Sequence, residues 1–231
     1  MPARTGVAVF GLLASRSPVP RDFHRSVTEV PLFDAIESHD IAALVAHLDR
    51  GGDPNLTHPN DRNWTILNSA IDELTEGGSI EAVKTLIFRG ARVDANNDRN
   101  DGAPLIVAAA LDLASVAKLL LVANANPNVR DSEGDSPLRV SVENGCLPMA
   151  RTLLSHGATK TINEWGGFSA MTALGRAAWK EDLEMVNLLL EFGADLNALD
   201  GDYRKAAERM TRPTTGGRSH RIRLLLSVDA N

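Results

Sequence analysis

Cysteine and aromatic residues are scarce in this chain. It has 231 residues, one cysteine (Cys146) and an aromatic content of 4%. A single cysteine excludes an internal disulfide and is consistent with a reducing compartment; we expect Cys146 to act as a small apolar filler. The apolar fraction of 43% must then be mostly aliphatic. Such a composition is unusual for a packed globular enzyme and typical of stacked Ala- and Leu-rich helices.

Motifs of catalysis and metal binding are also missing. The sequence has no glycine-rich phosphate loop, no Gly-x-Ser-x-Gly, no cysteine pair and no His-Glu-x-x-His. Its six histidines fall at unrelated positions without metal-ligand spacing. No two carboxylates share an apolar setting that would raise a pKa. We therefore expect no catalytic activity, no cofactor and no metal.

Long hydrophobic runs are absent as well. The apolar stretch from Gly6 to Ala14 is too short to span a bilayer. Residues 1–27 are expected to form a partly disordered leader of a cytoplasmic protein. A weak signal segment within residues 1–15 is the alternative, and it would place the protein in the periplasm or outside the cell, although no clean Ala-x-Ala cleavage site is present.

Charge is distributed unevenly. The formal net charge is −6, with +4 in residues 202–231 and therefore −10 in residues 1–201. Because phosphate contacts dominate nucleic-acid affinity, an acidic body argues against a nucleic-acid partner. The basic C-terminal part is expected to be a solvated cap; a patch for nucleic acid or an acidic partner is the alternative.

A repeated pattern organises the rest of the chain. Short apolar openings such as "APLIVAA" and "TALGRAA" begin at Val30, Thr65, Ala103, Ser136 and Thr172, at intervals of 35, 38, 33 and 36 residues. Each is followed by a longer apolar helical stretch that ends in a segment such as "LLLEFGADLN". A period of this length indicates a stacked-repeat architecture. In the second unit, four residues within "DELTEGG" exceed the template, and we expect them to extend the first helix or bulge from the turn.

The local chemistry of each unit predicts two helices. Thr65, Ser136 and Thr172 can cap a helix N-terminus, and Pro104 and Pro137 suit its first position. The second helix should end at a glycine that accepts the left-handed conformation. Those glycines are Gly51, Gly90, Gly157 and Gly193, with Asn124 as the substitute. Leu105, Leu120, Leu138 and Leu189 are expected to be buried between units.

The pattern resembles the ankyrin repeat. The unit from Ala103 to Asn128 follows that family's Thr-Pro-Leu-His-x-Ala-Ala … Gly-Ala-x-x-Asn template closely, whereas Thr161 replaces the final Asn of the fourth unit. The resemblance implies an all-α solenoid of helix-turn-helix units over residues 28–231. Its repeats start near residues 30, 65, 103, 136 and 172, and a degenerate cap covers residues 202–231. It also implies projecting loops, here called fingers, beside a concave face where partners dock.

The tryptophans lie on this implied binding surface. Trp64 and Trp165 fall in fingers and Trp179 at the end of a first helix, and aromatic side chains are common interface anchors. As alternatives, Trp165 and Phe168 could close their own finger, the acids could serve solubility, and Trp64 could cover the edge of the stack. Gly166 to Ser169 is expected to be a flexible loop. The candidate partner-binding residues are Trp64, Asp72, Glu73, Glu143, Trp165, Phe168, Trp179 and Lys180.

These features predict a non-catalytic protein–protein interaction module. We expect a monomeric adaptor, scaffold or inhibitor whose protein partner has basic and apolar features. A toxin-neutralising immunity protein or an exported periplasmic accessory protein is the alternative.

Overall fold

The computed structural model describes residues 30–58, 61–94, 102–210 and 217–227. The predicted leader at residues 1–27 and most of the finger at 95–102 lie outside this part. The helices are α1 (Val30–Glu37), α2 (Ile41–Asp49), α3 (Ile66–Asp72), α4 (Ile80–Phe88), α5 (Pro104–Ala110), α6 (Ala114–Val122), α7 (Pro137–Asn144), α8 (Leu147–Ser155), α9 (Ala173–Trp179), α10 (Leu183–Glu191) and α11 (Gly217–Ser227).

The helices form two layers, as the expected all-α solenoid requires. The first helices of consecutive units, α1, α3, α5, α7 and α9, pack side by side, and the second helices, α2, α4, α6, α8 and α10, form the other layer. Buried alanines such as Ala108 and Ala177 let first helices approach closely. The four leucines predicted to lie between units, Leu105, Leu120, Leu138 and Leu189, are all at most 1% exposed.

Capping residues set the ends of the helices where the sequence predicts them. The hydroxyls of Thr65, Ser136 and Thr172 accept hydrogen bonds from backbone N–H groups in the first turns of α3, α7 and α9. The second helices end before residues with positive φ, and Asn124 adopts φ 66° where four other units have glycine. Asparagine tolerates this left-handed backbone conformation better than most other residues, so the second helix of the third unit still ends at this position.

Strands in the described part of the chain are confined to two hairpins. One pairs β1 (Thr57–His58) with β2 (Asp61–Thr65), and the other pairs β3 (Trp165–Gly166) with β4 (Met171–Thr172). Both lie in fingers, so no central sheet interrupts the helix stack. The insertion in the second unit forms a 3-10 turn, Glu73–Thr75, closed by the Gly78 N–H donating to the Glu73 carbonyl at 2.7 Å. This outcome confirms that the extra residues extend the end of the first helix.

Polar side chains link the backbone of each unit to the next. The Oδ1 atoms of Asn55, Asp94 and Asn128 accept from N–H groups of Arg92, Asn126 and Lys160, at 2.8, 2.8 and 3.1 Å. We call this series the inter-unit ladder. Each of its bonds satisfies a backbone donor at the base of a finger, so the ladder sets the register between consecutive units.

The assignment of Thr161 to the final Asn position is wrong. Asn163 occupies the ladder position of the fourth unit, since its Oδ1 accepts from the Asp195 N–H at 2.8 Å. Two additional residues after Gly157 shift the polar side chain along the chain. Thr161 is buried instead, and its hydroxyl oxygen has no hydrogen-bond partner among the described residues.

Substitutions at these two positions should therefore have opposite effects. Asn163→Ala removes a net stabilisation of about 1 kcal/mol by leaving the Asp195 N–H without its acceptor. Thr161→Val keeps the shape and removes an unsatisfied hydroxyl, so it should leave the free energy of unfolding unchanged or raise it. Urea denaturation of both variants measures this difference. Destabilisation by Thr161→Val with no effect of Asn163→Ala would restore the original assignment.

Burial predicts a large contrast within α6. Leu120 is 0% exposed, whereas Val122, two residues further on, is 69% exposed. Leu120→Ala should lower the free energy of unfolding by about 2–5 kcal/mol because it leaves a cavity between units. Val122→Ala is the matched control and should change it by less than about 0.5 kcal/mol. Equal shifts in denaturation midpoint would contradict the packing described here.

Candidate partner-binding surface

Three of the four predicted aromatic anchors are accessible. Phe168 is 90% exposed, Trp165 51% and Trp179 46%. Trp165 and Phe168 lie in the finger formed by β3 and β4, and Trp179 ends α9. The structure thus places large apolar side chains in solvent both on a finger and at the end of a first helix.

Trp64 does not share this exposure. Its side chain is 7% exposed and belongs to the continuous core of the stack. It lies in β2, directly before Thr65, which caps α3. The expectation that Trp64 presents an anchor to a partner is therefore wrong, and the alternative, in which the indole covers the edge of the stack, agrees with the structure.

Two arginines brace the finger that carries Trp165. Arg130 donates through Nη2 to the Trp165 carbonyl at 2.7 Å, and Arg139 donates through Nη1 to the Ser169 hydroxyl at 3.2 Å. Gly166 approaches the preceding finger so closely that a Cβ there would lie 2.0 Å from the Gly134 carbonyl oxygen. The segment from Gly166 to Ser169 is thus a braced hairpin turn, not the free loop that the sequence suggested.

A cluster of charged residues holds Trp179. Arg176 forms a bidentate ion pair with Glu143 of the preceding unit, and its guanidinium carbon lies 4.3 Å from the centroid of the Trp179 ring. Lys180 donates to the Glu143 backbone carbonyl. These contacts orient the indole before any partner arrives, which lowers the entropy that binding costs. They also neutralise the Glu143 carboxylate, which leaves it little capacity to steer a basic partner.

The predicted acids of the second unit lie at the other end of the surface. Glu73 accepts a hydrogen bond from the His39 ring nitrogen Nε2 at 2.9 Å, which joins the first unit to the insertion. Asp72 is half-buried, and Glu37 and Glu76 nearby are exposed. The partner-binding role of these acids stays a prediction, and Glu73 also has a structural partner that only the fold reveals.

Sequence reasoning missed two exposed apolar residues in the last described finger. Leu199 is 48% exposed and Tyr203 is 83% exposed. A signal was present, because Tyr203 is the only tyrosine of the chain. Phe88 and Val122 are also exposed, at the ends of α4 and α6 in the second layer of helices.

The described residues offer few groups suited to nucleophilic or metal chemistry. Burial raises the pKa of the Cys146 thiol to about 11, so the thiol stays protonated and unreactive at neutral pH. Within the described ranges no group of three or more His, Cys, Asp or Glu side chains could hold a metal ion. No helix within the same ranges has the length and apolar character needed to cross a bilayer.

One finger contains a carboxylate with a strongly raised pKa. Asp131 is 8% exposed, and its Oδ1 accepts from the N–H groups of Glu133 and Asp135 at 3.0 and 2.8 Å. Desolvation by burial raises the pKa of this carboxyl from 3.8 to about 6. The folded state thus binds a proton more readily than the unfolded chain. The stability from this group is fully present below pH 4 and is lost as pH rises through 6.

Asp131→Asn tests this assignment. The amide oxygen can still accept both backbone hydrogen bonds but carries no charge to desolvate. The variant should gain stability relative to the parent as pH rises from 4 to 7.5, which thermal denaturation across that range measures. Glu184→Gln is the control, at an exposed carboxylate in the first turn of α10. A stability difference between variant and parent that does not change with pH would show that Asp131 has an ordinary pKa.

Comparison with known proteins agrees with this architecture. A family model described as ankyrin repeats (3 copies) matches residues 32–131, 74–164 and 105–200. A putative ankyrin repeat-containing protein of Treponema pallidum (strain Nichols) is 37% identical over 109 residues, covering 47% of this chain and 35% of that protein. Human NF-kappa-B inhibitor alpha is 27% identical over 165 residues, covering 70% of this chain and 52% of the inhibitor.

The solved structures show the same fold. The crystal structure of an ankyrin repeat domain from Acinetobacter baumannii AYE superposes with a TM-score of 0.73 at 25% identity, covering 87% of this chain and 97% of that domain. The chain spans about a third of the length of the Treponema pallidum protein and about half of that of the inhibitor. On the repeat pattern, the two layers of helices and these matches, the chain belongs to the ankyrin-repeat family.

Proposed function

We propose that this chain is a non-catalytic module that binds another protein through its fingers and the ends of its first helices. It would act as an adaptor, scaffold or inhibitor. The observation that carries the proposal is the exposure of preorganised aromatic side chains, Trp165 and Trp179 above all. Most core positions of the stack have aliphatic side chains, with Phe33 and Trp64 as aromatic exceptions, whereas Trp165 and Trp179 present their rings to solvent.

The proposed partner has apolar side chains that meet these rings and a basic stretch that faces the first two units. Glu37 and Glu76 are exposed there, and Asp72 and Glu73 lie beside them. Acids at the rim of an interface raise the association rate and its salt dependence more than the affinity. The proposal includes a monomeric chain in the cytoplasm, the setting that a single buried thiol suits.

Kinship with named inhibitors supports the inhibitor role. Ankyrin repeats are protein-binding modules, and one relative is named NF-kappa-B inhibitor alpha. An inhibitor needs no catalytic group, only a surface that covers part of another protein. The fingers and first-helix ends described above meet that requirement.

Alanine substitution of the tryptophans tests the proposal. The partner is first recovered by affinity purification of the full chain and mass spectrometry. Trp165→Ala and Trp179→Ala should then each weaken binding to the purified partner by about 2 kcal/mol or more, roughly thirtyfold in Kd. Calorimetry measures the affinity, and thermal denaturation shows that each variant remains folded.

The matched control is Phe88→Ala. Phe88 is 86% exposed but lies at the end of α4 in the second layer of helices, so its loss should leave Kd unchanged. If both tryptophan variants bind as tightly as the parent while Phe88→Ala binds more weakly, the partner uses the opposite face and the proposal fails.

A further inference from the structure

Four exposed apolar side chains, two of them already described, lie on two neighbouring fingers. Trp165 and Phe168 project from the finger between the fourth and fifth units, and Leu199 and Tyr203 from the finger after the fifth unit. We call these four residues the C-terminal finger patch. Monomeric proteins rarely place several large apolar side chains together in solvent without a binding role.

The two fingers are joined to each other. The Gly201 N–H donates to the Ala170 carbonyl at 2.8 Å. The Trp165 ring packs against Gly201, because a Cβ at that glycine would lie 3.2 Å from the ring atom Cε3 and 2.8 Å from the Ala170 Cβ. The two fingers that carry the patch are therefore held at a fixed spacing where Trp165 and Ala170 meet Gly201.

The backbone at Tyr203 is strained. Tyr203 closes a turn in which its N–H donates to the Asp200 carbonyl at 3.0 Å and the Asp200 Oδ1 accepts from the Arg204 N–H at 3.1 Å. The turn from Asp131 to Asp135 has the same pattern with glycine, Gly134, at the equivalent position. Gly134 has φ 82° and Tyr203 has φ 59°, a conformation that disfavours a bulky side chain.

Burial does not compensate for this strain. Tyr203 is 83% exposed, so its ring gains little from packing within the chain. Glycine would fit the turn better, and strained residues of this kind concentrate at functional sites. Strain and exposure are separate observations, and both point to Tyr203 as a residue that contacts a partner.

The charges around the patch indicate the partner's chemistry. The acids of the two fingers are already paired: Glu164 with Arg130 at 2.6 Å, and Asp200 and Asp202 with Arg209. Arg204 and Lys205, directly after Tyr203, are exposed. Residues 202–231 also have the net charge of +4 noted above. Two exposed cationic side chains, Arg204 and Lys205, therefore lie directly beside the patch.

From these contacts we infer that the C-terminal finger patch binds an acidic segment of a partner protein that carries aromatic or aliphatic side chains. Its apolar side chains lie against Tyr203, Leu199, Phe168 and Trp165, and its carboxylates face Arg204 and Lys205. This inference rests on the proposed function and deepens it. The first units at the other end of the stack are acidic. The charge pattern therefore orients the partner, so that its basic part faces the first units and its acidic part faces the C-terminal finger patch.

The test uses short random peptides displayed on phage and selected against the full chain. Selected peptides should combine Asp or Glu with aromatic or aliphatic residues. Synthetic copies of the strongest binders should lose about tenfold or more in affinity with Tyr203→Gly. The same variant should raise the denaturation midpoint because glycine relieves the turn, a combination that damage to the fold cannot produce. Arg204→Glu should weaken binding more at low than at high salt.

Several results would overturn the inference. Phe88→Ala, the control, must leave peptide binding unchanged. If the selected peptides are basic, the inference about the C-terminal finger patch fails. It also fails if their binding is insensitive to Tyr203→Gly but abolished by Trp179→Ala. In both cases the proposed function still stands. A random single-stranded oligonucleotide whose binding depends on Tyr203 and Arg204 would assign the patch to nucleic acid. Dimerisation of the chain that Tyr203→Gly abolishes would assign it to a second copy.

Discussion

The inter-unit ladder is the contact on which the surface of this protein depends. Helix packing holds the units together, but sliding of one unit on the next would displace every finger. A single amide or carboxylate side chain at the end of each of the first four units accepts from the backbone of the following unit, and this bond is directional where apolar packing is not. The exposed rings of the C-terminal fingers have a defined spacing because the units beneath them are in register.

Much of the fold could be read from local chemistry. Thr65, Ser136 and Thr172 cap helices, and Asn124 takes the left-handed conformation that the glycines of other units adopt. These predictions succeed because capping involves residues only two to four positions apart. The ladder position of the fourth unit could not be placed this way, since two extra residues move it from Thr161 to Asn163 and only the bond to the next unit identifies it.

The surface was harder to predict for a related reason. Exposure at Trp165, Phe168 and Trp179 followed from their places in the repeat. Whether a carboxylate is available to a partner protein, however, depends on whether a side chain of the neighbouring unit already pairs with it. Glu143 pairs with Arg176, and Glu73 pairs with His39. Trp64 has the sequence position of a finger residue yet lies in the core, because its strand turns the indole inward beside the cap of α3. Contacts of this kind join residues more than thirty positions apart, beyond the reach of any local pattern.

The bond between Gly201 and Ala170 has a consequence for the end of the stack. Each unit of a solenoid contacts only its neighbours, so two adjacent fingers can separate by local opening. Half of the C-terminal finger patch belongs to the last finger, and α11 lies beyond it. A ligand that contacts both fingers binds only while this end is closed, and closing is then favoured by the free energy of binding. Separation of the two fingers and occupancy of the patch are therefore thermodynamically linked, and proteases that cleave an opened finger would act on the unliganded chain first.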